Sequence, residues 1–488
     1  MNEKVFLLLL GCVTGLVTSL PVPPSKEANS DNRDLLILLQ ISDPATSSSS
    51  DSNLSTHEND ILLKVGRSAS NCSTCVWPKN ANGTVHVPYI LSVNYTLAEI
   101  NTFMTAMQEY ETLTCLRFVP RTGERDYLDI ISSGSRCLSY LGRIGGGQQL
   151  YLIPKCVISG IVQHELNHAL GFSHEQVRMD RDNYVDIKYQ FIYEASWANF
   201  DKQNNKNMVL GYDYGSVMHY DAYAFSNTSN QPSIVPKPDH TVPIGQRDGL
   251  SVLDVAKINQ VYQCIVFATL LDKEKGVFTS ANYPSAYPNN VNWVWLIRTP
   301  SGQASLTFSG FNLQSSLDCN SDYMRIYDGP TKNSVVLWDK FCGNQIIPQL
   351  IASSNHMLVE FVSDGAVAGL GFNATYNTVQ CGGAFFTFER KFTSPNYPNF
   401  YSPNLDCTYT ITAPAGYRIA LSITDFHVEY SWRCRYDYLQ VNVDGNVTTY
   451  CSNIIDPEIT STGTSMVLKF HSDRLGQARG FQAYYTFF

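Results

Sequence analysis

Four stretches of the chain differ in how apolar and polar positions alternate. The opening "MNEKVFLLLLGCVTGLVTSLPVPP" has a short charged head, a mostly apolar run, then small residues and prolines. From there to about residue 67 the chain is rich in Ser, Asp and Asn, as in "SDPATSSSSDSNLSTHEND". Such a segment cannot bury enough surface to fold alone, and is expected to stay disordered or to take shape only against a partner. Between about 68 and 265 helical and strand periods mix. "YTLAEINTFMTAMQEYETLT" has helical spacing, with Thr96 as cap and Glu99 three residues on. "TCLRFVP", "YLDIISS" and "QQLYLIP" read as short strands, and "SVLDVAKINQVYQC" as a further helix. This unit is α+β.

From about residue 266 the chain repeats itself. "FTSANYPSAYPNNVNWVWLI" from Phe278 matches "FTSPNYPNFYSPNLDCTYTI" from Phe392, 114 residues later. "CNSDYMRIYDG" likewise matches "CRYDYLQVNVDG", and "LVEFVSDGAVAGLGFNATY" matches "VLKFHSDRLGQARGFQAYY". Each copy consists of short alternating runs rich in β-branched and aromatic residues, broken by Asn, Pro and Gly. Two all-β sandwiches in tandem, over 266–379 and 380–488, are the expectation.

Composition agrees with several units. A chain of 488 residues with 44% hydrophobic content can bury two to four separate cores. The net charge is −9 and Lys and Arg form no run, which argues against nucleic acid or anionic membrane as main partner. The opening reads as a secretory signal over residues 1–19; its apolar run is short of the roughly 20 residues a spanning helix needs. Removing it takes Cys12 away and leaves twelve of the thirteen cysteines, an even number in an oxidising, extracellular compartment. Acceptor triplets for N-glycans occur at Asn53, Asn71, Asn82, Asn94, Asn227, Asn373 and Asn446.

The candidate chemistry lies in "SGIVQHELNHALGFSHE". On a helix, His164 and His168 share one face a turn apart, and Glu165 projects beside them. Gly171 can take the left-handed conformation that stops the helix, leaving His174 to close a third corner. Three imidazoles with a fourth position open describe a catalytic zinc site, since structural zinc is closed by four protein ligands. An adjacent carboxylate, Glu165, can accept a proton from the attacking water. A bare H-E-x-x-H occurs in unrelated helices, but the longer H-E-x-x-H-x-x-G-x-x-H fixes both the helix stop and the third ligand.

That extended motif is the metzincin signature, and Glu175 directly after the third histidine resembles the astacin family. The resemblance spans the unit, from "VWPKNANGTVHVPYILS" to "IGQRDGLSVLDVAKINQVYQC". It implies a secreted zinc endopeptidase domain over 68–265, preceded by a propeptide over 20–67. "YDYGSVMHY" resembles the Met-turn, which makes Met218 the apolar floor under the metal and Tyr220 a zinc ligand or a stabiliser of the oxyanion. His219 carries no ligand role by sequence; it either supports the site from behind or lies on the surface. The resemblance implies disulfides Cys115–Cys264 and Cys137–Cys156. A Cys72–Cys75 pair resembles the hatching-enzyme branch, and in an extracellular chain reads as a structural clip rather than a redox site. Family members block the metal with a propeptide aspartate in F-x-G-D. "HEND" offers Asp60, with His57 in place of Phe and Asn59 in place of Gly. The same resemblance implies cleavage between Arg67 and Ser68, the new amine approaching Glu175 as the partner that makes its burial tolerable.

The two repeats resemble CUB domains. The resemblance implies Cys319–Cys342 in the first, and Cys381–Cys407 and Cys434–Cys451 in the second. Where the second has Cys381 and Cys407 the first has Phe267 and Trp293, an aromatic contact in place of a crosslink. Some CUB domains bind calcium. Glu429, Asp437 and Asp473 match that pattern in the second copy, whereas the first has Gln314 with Asp322 and Asp364; solvated acidic loops are the alternative. One protease unit, two CUB modules and no EGF-like cysteine cluster look most like an amphibian hatching enzyme, with glycoprotein of the egg envelope as substrate. A developmental matrix or growth-factor-processing protease is the alternative within the class. A non-catalytic CUB adhesion protein is the alternative outside it, but it predicts missing ligands or base, and none is missing. Lys237 in "IVPKPD" is a candidate attraction for acidic side chains of a substrate. No feature of the sequence sets an oligomeric state.

Overall fold

The computed structural model describes residues 55–57, 60–63, 75–204, 210–453 and 458–488. The signal segment with Cys12, the cleavage pair Arg67 and Ser68, Asn59, Cys72, Asn53 and Asn71 lie outside the described residues.

The described residues begin with a hairpin, β1 (Ser55–His57) against β2 (Ile61–Leu63). A four-stranded parallel sheet follows, built from β3 (Val85–Leu91), β4 (Leu116–Pro120), β5 (Tyr127–Ile131) and, after the short strand β6 (Ser139–Tyr140), β7 (Gly147–Tyr151). Strand order is β4-β3-β5-β7. The hairpin joins the unit through parallel pairing of Ile61 with Ser139 and Leu62 with Tyr140. This part of the Ser-rich segment is therefore ordered by a partner, and the partner is the α/β unit of the same chain.

Among the described residues three α-helices complete the unit: α1 (Leu97–Leu113), α2 (Ser159–Ala169) and α3 (Val252–Val261). Thr96 and Glu99 cap α1 reciprocally, and Ser251 and Asp254 do the same for α3. Helix α2 is buried along its length from Gly160 to Ala169. Tyr110 of α1 donates from its hydroxyl to Gln163 O at 3.0 Å and to Asn167 Oδ1 at 2.9 Å, so α1 holds α2 by polar as well as apolar contact. The far half of the unit is mostly irregular. Its small sheet pairs Val185–Ile187 with Ile234–Pro236, and next to it Lys237 donates to Asp186 at 2.9 Å.

Each repeat is a two-sheet sandwich. The first sets a five-stranded sheet, with Asn292–Arg298, His356–Val362 and Tyr323–Asp328 at its centre, against a four-stranded one built on Gln303–Asn312 and Gly371–Val379. The second repeats the arrangement, with Asp406–Thr412, Ser465–His471 and Tyr438–Val443 facing Ile419–Val428 and Gly480–Phe487. Disulfides join Cys115 to Cys264, Cys137 to Cys156, Cys319 to Cys342, Cys381 to Cys407 and Cys434 to Cys451. Cys75 is also disulfide-bonded. Phe267 and Trp293 meet with ring centroids 5.8 Å apart where the first sandwich lacks its second crosslink.

The first sandwich shares a core with the α/β unit. Leu270, Val294, Leu296, Tyr327 and Leu358 belong to the same buried cluster as Phe103, Leu113 and Ile258. At about 1.5–3 kcal/mol for each fully buried large apolar side chain, these contacts dock the sandwich rather than merely tether it. A buried polar centre crosses the same junction. Glu109 of α1 accepts from Arg298 at 2.7 Å, His356 at 2.8 Å and Gln163 at 3.0 Å. Gly249 makes room for this, since a Cβ there would lie 2.4 Å from the Arg298 guanidinium.

Candidate metal centre

Helix α2 owes its position to small residues at both ends. A Cβ on Gly160 would lie 1.9 Å from the carbonyl oxygen of Arg247, so only glycine lets the helix approach that strand of chain. At the other end Gly171 takes φ +101°, and the backbone turns back through Phe172 N to Asn167 O at 2.9 Å. The indole of Trp77 donates to Ala169 O at 3.0 Å and pins this turn to the start of the unit.

His164, His168 and His174 converge in the interior, all fully buried. Their Nε2 atoms meet: His164 lies 3.2 Å from His174 and 3.2 Å from His168. The other ring nitrogens face carbonyl oxygens, His164 Nδ1 at 2.8 Å from Val217 O and His168 Nδ1 at 2.8 Å from Phe172 O. A carbonyl can only accept, so Nδ1 carries the hydrogen and Nε2 turns its lone pair inward. Burial lowers both imidazoles, His168 well below its ordinary range. Neutral rings aiming lone pairs at one point repel unless a cation sits among them. Tetrahedral zinc with bonds of 2.0–2.1 Å would set its nitrogen ligands about 3.3 Å apart. The observed 3.2 Å separations fit that ion.

Asp60, at the turn between β1 and β2, supplies a fourth donor. Its Oδ2 lies 3.2 Å from His174 Nε2 and 3.3 Å from His164 Nε2, and Oδ1 lies 3.8 Å from His168 Nε2. Four ligand atoms thus group together, three from the catalytic motif and one from the hairpin.

Glu165 is fully buried, and neither of its carboxylate oxygens has a hydrogen-bond partner. Burial, reinforced by Asp60 and opposed by Arg247, pushes its carboxyl well above the ordinary range. A buried carboxyl without partners is costly in a fold that needs it only for packing. Arg247, half-buried, donates to His219 O at 3.0 Å. Nothing in its local spacing sets Arg247 apart from other arginines.

The segment under the histidines is built from several elements. Asp254 of α3 accepts from Ser216 Oγ at 2.6 Å and Val217 N at 2.9 Å, and Met218 O accepts from Glu175 N at 3.1 Å. Met218 is buried, and the Tyr220 ring lies 4.4 Å from the His174 ring. His219 is not at the surface: it is fully buried, donates to Tyr220 O at 2.6 Å and accepts from Tyr212 at 2.7 Å. Burial pushes it down to about 4. Asp254 was legible only as the fourth residue of a capping pattern, "SVLD", and its grip on the Met218 turn is a tertiary fact. Glu175 is buried and held by Lys257, whose Nζ lies 2.8 Å from both carboxylate oxygens, and by Asp213 N at 2.8 Å. Burial nonetheless pushes the Glu175 carboxyl up, against the pull of Lys257 and Arg178.

A second group of oxygens lies at one end of the second sandwich. Ligand atoms of Glu429, Asp437 and Asp473 all fall within 4.8 Å of one another. Asp437 accepts from Tyr401 at 2.6 Å and from Asp473 N at 2.7 Å, while Glu429 Oε2 is buried without a partner. Burial, with Asp437 and Asp473 adding to it, raises Glu429. The first sandwich has the same frame, Asp322 accepting from Tyr287 and from Asp364 N, but it presents Gln314 in place of the third carboxylate.

Residues 73–263 match the family described as Astacin, a peptidase family, and residues 268–376 and 381–485 match the CUB domain. The chain is 48% identical to Embryonic protein UVS.2 of Xenopus laevis, covering all of both chains. It is 47% identical to an astacin-like metalloendopeptidase of Gallus gallus over 72% of this chain and 86% of that protein. Among solved structures, high choriolytic enzyme 1 of Oryzias latipes, a hatching enzyme zinc-protease, is 47% identical over 41% of this chain and 100% of that one, with a TM-score of 0.39.

Proposed function

The chain belongs to the astacin family, as a metalloendopeptidase with two CUB domains, and from that premise we propose that it is secreted and cuts egg-envelope glycoprotein during hatching. The observation that carries the catalytic part is the convergence of three inward-facing Nε2 atoms beside an unpartnered buried carboxylate. His164, His168 and His174 would hold zinc. When bound, it supplies Lewis-acid polarisation of the scissile carbonyl and acidifies the attacking water. Glu165, buried beside the histidines with no hydrogen-bond partner, would take the proton of that water and hand it to the leaving amine. Tyr220, beside His174, donates to the carbonyl oxygen as charge develops there. Met218 and the Asp254 anchor hold the floor in place.

Asp60 supports a latent precursor, since it occupies the corner where substrate would enter. Cleavage between Arg67 and Ser68 would release the hairpin, whose hold on the unit includes the two pairings at Ser139 and Tyr140. The freed amine of Ser68 would move toward Glu175, where Lys257 already supplies one positive charge. Glu429, Asp437 and Asp473 would hold Ca²⁺ in the second sandwich, and Gln314 would leave the first with weaker binding.

The envelope as substrate is supported by the embryonic relative aligned over its whole length, and by cysteines that leave none for an EGF-like module. The test is processed protein on isolated envelope and on a denatured protein, with and without a chelator, beside the Glu165→Ala variant. Chelator and variant should each stop peptide cleavage, the variant keeping its zinc; turnover by Glu165→Ala contradicts the mechanism. Cuts confined to one bond of a soluble growth-factor precursor, with the envelope intact, would replace the hatching substrate.

A further inference from the structure

The loop from Tyr430 to Tyr436 of the second sandwich has a twin in the first, and the comparison separates what the fold requires from what it merely carries. In the second copy Cys434 N donates to Ser431 O at 3.1 Å, Tyr436 N donates to Ser431 Oγ at 3.1 Å, and Cys451 Sγ lies 3.7 Å from Ser431 O. In the first copy Cys319 N donates to Ser316 O at 3.2 Å, Ser321 N to Ser316 Oγ at 3.1 Å, and Cys342 Sγ lies 3.8 Å from Ser316 O. Both loops put two consecutive residues in the left-handed region, Arg433 and Cys434 at φ 58° and 50°, Asp318 and Cys319 at 53° and 49°. Both are closed by the same disulfide. These three contacts, the left-handed pair and the disulfide are common to both loops.

The side chains they present are not. Ser315, Leu317, Asp318, Asn320 and Ser321 in the first copy stand where the second has Tyr430, Trp432, Arg433, Arg435 and Tyr436. The neighbouring loop changes in the same sense, Gly365 after Asp364 becoming Arg474 after Asp473. Because the first copy folds the same loop without aromatic or basic residues, the fold does not explain them. Tyr430, Trp432 and Tyr436 are 72%, 60% and 52% exposed. The guanidinium carbons of Arg433 and Arg435 lie 4.3 and 4.9 Å from the Trp432 ring centre, and among the described residues neither arginine is paired with a carboxylate. Stacked guanidinium groups keep their N–H edges free for bidentate hydrogen bonds to an anion. Exposed aromatic faces offer a surface for the C–H face of a sugar ring.

We infer that this loop is a docking site for anionic saccharide, such as sulfated or sialylated glycan. Sulfate or carboxylate groups would pair with Arg433 and Arg435, which Trp432 holds in place, and with Arg474, and sugar rings would lie on Tyr430 and Tyr436. The whole chain carries −9, so attraction of polyanions to the molecule at large does not produce this binding; it is a property of the loop. The inference is independent of the catalytic assignment.

The test uses the full chain, in calcium-containing buffer, with dextran sulfate, neutral dextran and polyglutamate as immobilised probes. A variant carrying Trp432→Leu, Arg433→Asp and Arg435→Asn installs the side chains that the first copy already accommodates on the same frame, so folding is not at risk. Dextran sulfate should bind the wild-type protein and bind the variant at least tenfold more weakly, with cleavage of a short peptide by the two processed forms equal. Equal binding of dextran sulfate by both proteins overturns the proposal, as does failure of the wild type to bind it. Polyglutamate bound as tightly as dextran sulfate would also overturn it, in favour of an acidic peptide.

Discussion

Replacing Arg298 by alanine should destabilise the protein far more than loss of a surface ion pair would. Arg298 and Glu109 are 5% and 1% exposed at their side chains, with 2.7 Å between Nη1 and Oε2, and the same guanidinium donates to Leu250 O. Removing the cation leaves Glu109 charged in the interior with only His356 and Gln163 as partners. Breaking a buried pair in this way costs about 3–5 kcal/mol. Titration leads to a similar figure. Burial alone would raise Glu109, but Arg298, then His356 and Gln163, hold it at about 2 instead of 4.5. A gap of that size is worth about 3 kcal/mol. Its sign is that of a depressed carboxylate: the stabilisation is complete above pH 4.5 and disappears as pH falls toward 2. Urea unfolding followed by tryptophan fluorescence at pH 7 should therefore show a loss of about 3 kcal/mol or more, shrinking as the buffer is taken toward pH 3. A double variant, Glu109→Gln with Arg298→Met, should recover most of the loss, because neither charge then remains alone. A loss under about 1 kcal/mol, the range of exposed pairs, would refute the reasoning and mean that the sandwich is only tethered.

Asp60→Ala in the uncut precursor should let it cleave a fluorogenic peptide without processing, by on the order of tenfold above the wild-type precursor, equivalent to about 1.4 kcal/mol of lost competition. Unchanged latency in that variant would show that the hairpin, not its carboxylate, blocks the site. Calcium affinity measured by calorimetry should fall on the order of tenfold in Glu429→Gln and rise in Gln314→Glu, since charge count governs such sites; no change in either would remove calcium from the account.

Much of the fold was legible because its signals are local. The capping pair Thr96 and Glu99, the alternation in "YLDIISS" and the repeat at Phe278 and Phe392 each depend on a few neighbouring residues. The meeting of His164, His168 and His174 follows from one helical turn and a glycine stop, so it too was readable. What was not readable depends on contacts between distant parts of the chain. Glu109 is an ordinary helical glutamate until Arg298 and His356, from strands of another unit, close on it. Whether His219 supports the site or lies on the surface is decided only by Tyr212 and Tyr220, which enclose it. The Ser-rich segment has no core of its own, and part of it is ordered only because Ile61 and Leu62 find Ser139 and Tyr140 as strand partners. The pairing of Lys237 with Asp186 spans 51 residues and has no local signal.

The most direct test of the central claim is X-ray absorption at the zinc edge, on the precursor and on the processed protein. Expected is one zinc per chain with three nitrogen ligands at about 2.0–2.1 Å in both forms, and a fourth oxygen ligand that is the Asp60 carboxylate in the precursor and water in the Asp60→Ala precursor and the processed enzyme. Protein without zinc, or zinc whose nitrogen ligands persist when His164, His168 and His174 are replaced, would contradict it.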